Sequence, residues 1–259
     1  MSIRIKNIYG FNFLKINTDK TQLKLFKPNR INLNYNLNFN GTTLECLNEI
    51  NILGVKISSN LDLSKFISKK VQVCSYKLRN LTFIKNSLPY QSRVILITNS
   101  ILSNLDYCNS LLACAKESAL RPLQLILNRA VRFIFNISRR THITHFLKKL
   151  HFLPVKQRIV FKTCLVAFKV FNGIAPAPLQ SKFTKFIPTT STNLRFNAGR
   201  DKFMFHTSLE DHRRNTIINK IKINWNSLPL QTRQLPCNQI QRFKTELKTI
   251  LFKNAFENS

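Results

Sequence analysis

Hydrophobic positions recur along this chain with two periods, one following the other. Between residues 31 and 40, Ile31, Leu33, Tyr35, Leu37 and Phe39 alternate strictly with asparagines, as a half-buried strand requires. Asn40-Gly41 is a strong signal for a two-residue hairpin turn. A return strand is expected at 42–46, and a further short apolar strand at 52–57. From residue 62 the period lengthens to that of a helix. Asp62 or Ser64 can cap a helix running to about 86, with Phe66, Ile67, Val71, Cys74, Leu78 and Leu81 as its apolar stripe. Ser87 and Pro89 open a second helix, expected to reach about 112 through Val94, Ile97, Ile101 and Leu105. A third is expected over 118–137, with Pro122 in its first turn and Leu123, Leu127, Val131 and Ile134 on its apolar face. A short helix at 144–150 follows. Pro154 then opens a helix over 155–171, closed by Gly173. The stretch 174–205 is the least periodic and reads as a linker or extended arm, carrying Arg195, Arg200 and Lys202. A mixed segment leads to Trp225 and a turn at Asn226-Ser227-Leu228-Pro229. An amphipathic helix over 238–252 has Ile240, Phe243, Leu247 and Leu251 on one face.

The fold class is therefore mainly α: a small antiparallel β unit at the N-terminus, then a basic helical bundle, then a C-terminal amphipathic helix. The expected divisions are 1–62 (β hairpin and strand), 63–172 (helical domain), 173–205 (linker or arm) and 206–259 (C-terminal extension).

Charge changes this picture more than composition does. The 259 residues hold 41 Lys and Arg against 11 Asp and Glu, a net charge of +30. Such a surplus repels itself unless a polyanion neutralises part of it, so nucleic acid or an anionic membrane surface is the natural partner, and nucleic acid is the one expected. RNA and DNA would be met through the backbone, because lysines and arginines on helix faces supply charge without a base code. The candidate contact residues are Lys69, Lys70, Lys77 and Arg79 on the first helix, Arg129 and Arg132 on the third, and Arg139 and Arg140 just after it. Hydrophobic residues make up 44% of the chain and include 21 Phe, enough to build a core. No run of 18 uncharged apolar residues is present, so no membrane span is expected. No membrane is expected among the partners. The expected location is the cytoplasm, the nucleus or both.

The same imbalance limits the chemistry. A two-metal phosphoryl-transfer site needs converging carboxylates, and the only adjacent pair here is Glu210-Asp211, in a very polar stretch. The six cysteines contain no C-x-x-C, and Cys74 and Cys164 sit at apolar helical positions. His142, His145 and His151 lie close together without a Cys or carboxylate to complete a metal shell, so structural or surface roles are expected. No cofactor or metal is expected in this chain.

Several short segments, in order, resemble one family. They are Asn12-Phe13-Leu14-Lys15-Ile16-Asn17-Thr18-Asp19-Lys20-Thr21-Gln22, then Ile52-Leu53-Gly54-Val55, then Leu105-Asp106-Tyr107-Cys108-Asn109-Ser110-Leu111-Leu112. Further on come Leu123-Gln124 with Asn128, Ala130 and Arg132, then His142-Ile143-Thr144 and Leu150-His151-Phe152-Leu153-Pro154-Val155 with Arg158 and Ile159. Trp225-Asn226-Ser227-Leu228-Pro229 and the helix containing Phe243, Lys244, Leu247 and Lys248 complete the series. Together they resemble the region after the catalytic strands of reverse transcriptases from non-LTR (LINE-type, jockey-like) retrotransposons. Phe152 stands where that family often has Trp, and His145 where it often has Pro.

The resemblance implies that 1–62 is a remnant of the polymerase palm, 63–172 a thumb-like domain and 206–259 an extension. The metal-binding aspartates of such a polymerase, with their Mg²⁺, would belong to an upstream segment, itself an expected partner. Lys20 matches the palm lysine that assists the pyrophosphate leaving group, and is the one remnant of the catalytic machinery. The alternative is a domesticated, non-enzymatic RNA- or DNA-binding or assembly protein. Either way, the isolated chain should extend no primer in Mg²⁺, and incorporation of nucleotide above background would contradict this.

Overall fold

In the computed structural model, which describes residues 17, 20–26, 36–39, 41–58, 61–185, 202–203 and 216–257, the alternating segment forms a hairpin. Strands β1 (Asn36–Phe39) and β2 (Thr42–Glu45) are antiparallel, with Phe39 opposite Thr42 across the expected two-residue connection. Leu37 and Phe39 are half-buried while Asn36 and Asn38 are exposed. Ile31, Leu33, Tyr35 and Asn40 lie outside the described residues. The expected single strand at 52–57 instead spans the turn of another hairpin. β3 (Glu49–Ile52) pairs antiparallel with β4 (Val55–Ser58), with Ile52 opposite Val55. Leu53 and Gly54, at φ 49° and 81°, make the reversal, as a tight turn with two left-handed residues requires.

The chain divides into two units, Met1–Ser68 and Lys69–Ser259. In the first, Leu23 bridges to Cys46, and Lys24 Nζ donates to the carbonyls of Leu47 and Asn48 at 2.7 and 2.6 Å. Glu49 pairs with Lys65, and that hydrogen-bonded ammonium holds its carboxyl below the usual range. Helix α1 (Ser64–Phe83) starts at Asp62, whose carboxylate accepts from the Ser64 N–H at 3.0 Å and from the Ser64 hydroxyl at 2.6 Å. Its expected stripe is real: Phe66, Ile67, Cys74 and Leu78 are buried.

The second unit is built of helices joined by short loops, with one isolated antiparallel bridge, Lys185 to Phe203, among its described residues. Helix α2 (Tyr90–Ile97) begins after Pro89 and passes through a π-helical turn (Thr98–Leu102) into α3 (Ser103–Asp106). The continuous helix expected to 112 breaks at Cys108, which adopts φ 48°, and the chain resumes as a 3₁₀ segment over Asn109–Cys114. Helices α4 (Glu117–Phe135), α5 (Thr144–Lys149) and α6 (Val155–Phe171) match the periodicity closely. Gly173 takes φ 74° just past α6, and the N–H groups of Ile174 and Ala175 return to the Lys169 carbonyl. Beyond it come α7 (Ala177–Gln180), α8 (Ile217–Asn226), α9 (Leu230–Arg233) and α10 (Ile240–Phe256).

Helix α6 is the centre of the unit. It packs against α3, the 3₁₀ segment and α4, and also against α8 and α10. Cys164, Ala167, Phe168 and Val170 enter one core with Phe203, Ile221, Trp225, Phe243, Leu247 and Leu251. Phe168 stacks on Phe243 with ring centroids 4.3 Å apart, and Phe171 stacks on Trp225 at 5.3 Å. Residues 155–171 and 217–256 thus share one core, across the division expected between helical domain and extension. Phe203, within the expected linker, is 2% exposed there. Asn226 clasps it: its Oδ1 accepts from the Phe203 N–H at 2.9 Å and its Nδ2 donates to the Phe203 carbonyl at 3.0 Å. Burial pushes the Cys164 thiol up to about 12, so it sits in this core as a neutral apolar group.

Polar side chains fix the helices to one another. Arg158 of α6 makes a two-pronged pair with Asp106 at the end of α3, at 2.8 and 2.7 Å. Gln124 of α4 accepts from the Val155 N–H at 2.9 Å, filling one of the open donors in the first turn of α6. Asp106→Ala should therefore lower unfolding stability by about 2 kcal/mol, the scale of a charge-assisted hydrogen-bonded pair. The shift in urea midpoint measures it, and a change below about 0.5 kcal/mol, the surface-mutation scale, would show that the pair does not brace α6.

Candidate nucleic-acid interface

The second half of α1 and the length of α4 leave an open groove. One part is lined by Lys85, Arg129, Arg132 and Arg139 and has a volume of about 640 Å³. The adjoining part, also about 640 Å³, is lined by Tyr76, Arg79, Phe83 and again Arg129. Thr82 and Arg129 belong to both, so the two are continuous. Five cations line the groove, and none of its described lining residues is a carboxylate.

Local structure explains each position. Arg129 and Arg132 sit three apart on α4, on the side opposite Leu123, Leu127 and Ile134, which are buried. Asn136 ends α4 in the left-handed region at φ 54°, and the following loop brings Arg139 to the groove. Arg132 Nη2 donates to the Thr141 carbonyl at 3.2 Å, which orients its guanidinium, while its Nε is enclosed without an acceptor among the described groups. Arg79 lies on the exposed side of α1, and Lys85 in the 3₁₀ turn that follows it (Lys85–Ser87).

Of the eight basic residues proposed from sequence, four therefore meet: Arg79, Arg129, Arg132 and Arg139. Lys69 and Arg140 are exposed and Lys77 is half-buried, but none of the three lines the groove. Lys85 was missed, because it stands outside the helical stripe and in no charge run.

Lys70 differs from the surface role expected of it. It is 7% exposed, and its ammonium donates to the carbonyls of Asn104, Leu105 and Tyr107 at 2.6, 3.3 and 2.6 Å. Those carbonyls are left open where α3 ends, so Lys70 is an internal cap rather than a phosphate contact. Its position explains this: it stands three residues after Ile67 and four before Cys74, within the apolar stripe. Burial lowers its pKa to about 8, against the pull of Cys74, Cys108 and Asp106.

Lys20 belongs to the first unit and is exposed, its backbone N–H bonded to Asn17 Oδ1 at 3.2 Å. Asp19, Glu210 and Asp211 lie outside the described residues. His145 packs edge-on against Phe146, and His151 lies 5.6 Å from the Phe252 ring. Among the described residues no three His, Cys, Asp or Glu side chains group together. No helix among them is long and apolar enough to cross a membrane.

Comparison with known protein families, with curated proteins and with solved structures found no match.

The Lys70 cage yields a pH prediction. Its pKa in the folded protein lies below that of a free lysine, near 10.4, so between about pH 8 and 10.5 the unfolded chain binds the extra proton. The contribution of Lys70 to stability should therefore rise across that window. Urea unfolding should show the gap between the wild type and Lys70→Met growing in favour of the wild type from pH 8 to 10. A gap that is flat or shrinking would contradict the assignment.

Proposed function

We propose that this chain is a nucleic-acid-binding protein related to non-LTR retrotransposon reverse transcriptases, and that it holds the phosphate backbone in the groove between α1 and α4. The observation that carries the reading is the convergence of Arg79, Lys85, Arg129, Arg132 and Arg139 without a carboxylate among them. Phosphate needs donors and positive charge, and arginine supplies both in a fixed fork. Elsewhere among the described residues four acids are engaged: Glu49 with Lys65, Glu117 with Lys156, Asp106 with Arg158 and Glu246 with Arg242. The groove keeps its charge for a ligand.

The ordered motifs support the family reading, in which the thumb holds nucleic acid by its backbone. The reading assigns backbone binding to this chain. A domesticated binding protein would use the same groove in the same way.

Binding should be sequence-tolerant and steeply salt-dependent. With about five phosphate contacts to a single strand, log K should fall with log salt at a slope of about −3.5. Arg129→Glu with Arg139→Glu should weaken binding at least about tenfold and flatten that slope. Lys69→Glu with Arg140→Glu, outside the groove, should cost less than about threefold because screened charges act weakly at a distance. Fluorescence anisotropy titrations from low to moderate salt decide it. Equal losses from both pairs would mean that the charge acts as a diffuse cloud and not through this groove.

A further inference from the structure

We infer that the groove takes single-stranded rather than duplex nucleic acid, with bases stacked on Tyr76 and Phe83. This rests on the backbone-binding reading above and goes further by naming the form of the ligand.

Tyr76 is 68% exposed and Phe83 78% exposed, among the most open large side chains of the described structure. Both line the groove beside Arg79 and Arg129. The three residues of α1 fall at i, i+3 and i+7, so Tyr76, Arg79 and Phe83 form one stripe along the helix. That stripe stands apart from the buried one of Cys74 and Leu78. At 1.5 Å per residue the two rings are about 10.5 Å apart along the axis. A strand rising about 3.4 Å per nucleotide spans that distance in about three steps. One short strand can therefore reach both rings while its backbone passes Arg79 and Arg129.

The chemistry separates single strands from duplexes. In a duplex the base faces are stacked on one another, and an aromatic ring on the protein finds no free face. In a single strand every base has one, and stacking on an exposed ring adds about 1–3 kcal/mol per base regardless of sequence. Arginines between aromatic rings are the arrangement that holds phosphate and base together, with the guanidinium also able to lie against a base plane. Burial in the protein core, the usual role of Phe here, is excluded for Phe83 by its exposure.

The test titrates the full chain with three labelled probes of about a dozen nucleotides: a thymidine strand, the same length of abasic deoxyribose-phosphate, and a duplex. The wild type should bind the thymidine strand at least about tenfold tighter than the abasic strand, from stacking on two rings. The variant Tyr76→Ala with Phe83→Ala should bind the thymidine strand only as well as the abasic one. Its affinity for the abasic strand and the duplex should stay unchanged, and so should its thermal unfolding midpoint. Equal wild-type binding of the thymidine and abasic strands overturns the stacking inference while leaving the backbone reading intact. Losing affinity for all three probes equally in the double variant also overturns it. Salt-independent or absent binding to every probe, or a preference for phosphatidylserine vesicles over every probe, overturns both readings.

Discussion

The paired charge of Asp106 and Arg158 is the contact on which the helical unit depends. It closes the end of α3 against α6 by two short bonds, at 2.8 and 2.7 Å. Helix α6 in turn carries the cores on both of its sides, with α4 on one and with α8 and α10 on the other. In a chain with 41 basic and 11 acidic residues, most lysines and arginines can find no carboxylate of their own. One acid placed at a partly enclosed junction organises more of the structure than the same acid on a solvated surface, where ion pairs contribute little. The scarcity of acids then has a second effect. Described acids pair with Lys65, Lys156, Arg158 and Arg242, and no carboxylate stands among the described residues that line the groove of α1 and α4.

Several residues that carry the family resemblance work as connectors between helices. Asp106 and Arg158 meet across two of the motifs. Gln124 fills a donor of the α6 first turn, Arg132 ties α4 to the loop at Thr141, and Asn226 clasps Phe203. Trp225 is wholly buried among Phe171, Phe203 and Phe243. Their spacing in sequence is a record of which helices must touch. The residues proposed to bind, by contrast, stand mostly outside those motifs: Arg79, Lys85, Arg139, Tyr76 and Phe83.

Periodicity made most of the helices legible, because each buries a stripe, and Asp62, Pro89 and Pro154 mark where three of them begin. Helices α4 and α6 were readable almost to the residue for this reason, and the Asn-alternating strand for the corresponding reason at period two. Three features were not readable in the same way. The turn at Leu53-Gly54 looked like the middle of a strand, since Leu53 is apolar and only its positive φ reveals the reversal. The break at Cys108 follows from the carbonyl cage around Lys70, a contact 34 to 37 residues away in sequence. The groove itself is a meeting of two helices that no local spacing specifies. Lys70 was legible in principle: a lysine within an apolar stripe must bury its ammonium or disturb the stripe.

The most direct test of the central claim is arginine modification mapped by mass spectrometry, with phenylglyoxal applied to the chain alone and to the chain saturated with oligonucleotide. The account requires selective protection of Arg79, Arg129 and Arg139, with Arg140 modified equally in both states. Protection of Arg140 to the same degree, or no protection of the groove arginines at saturating oligonucleotide, would contradict it.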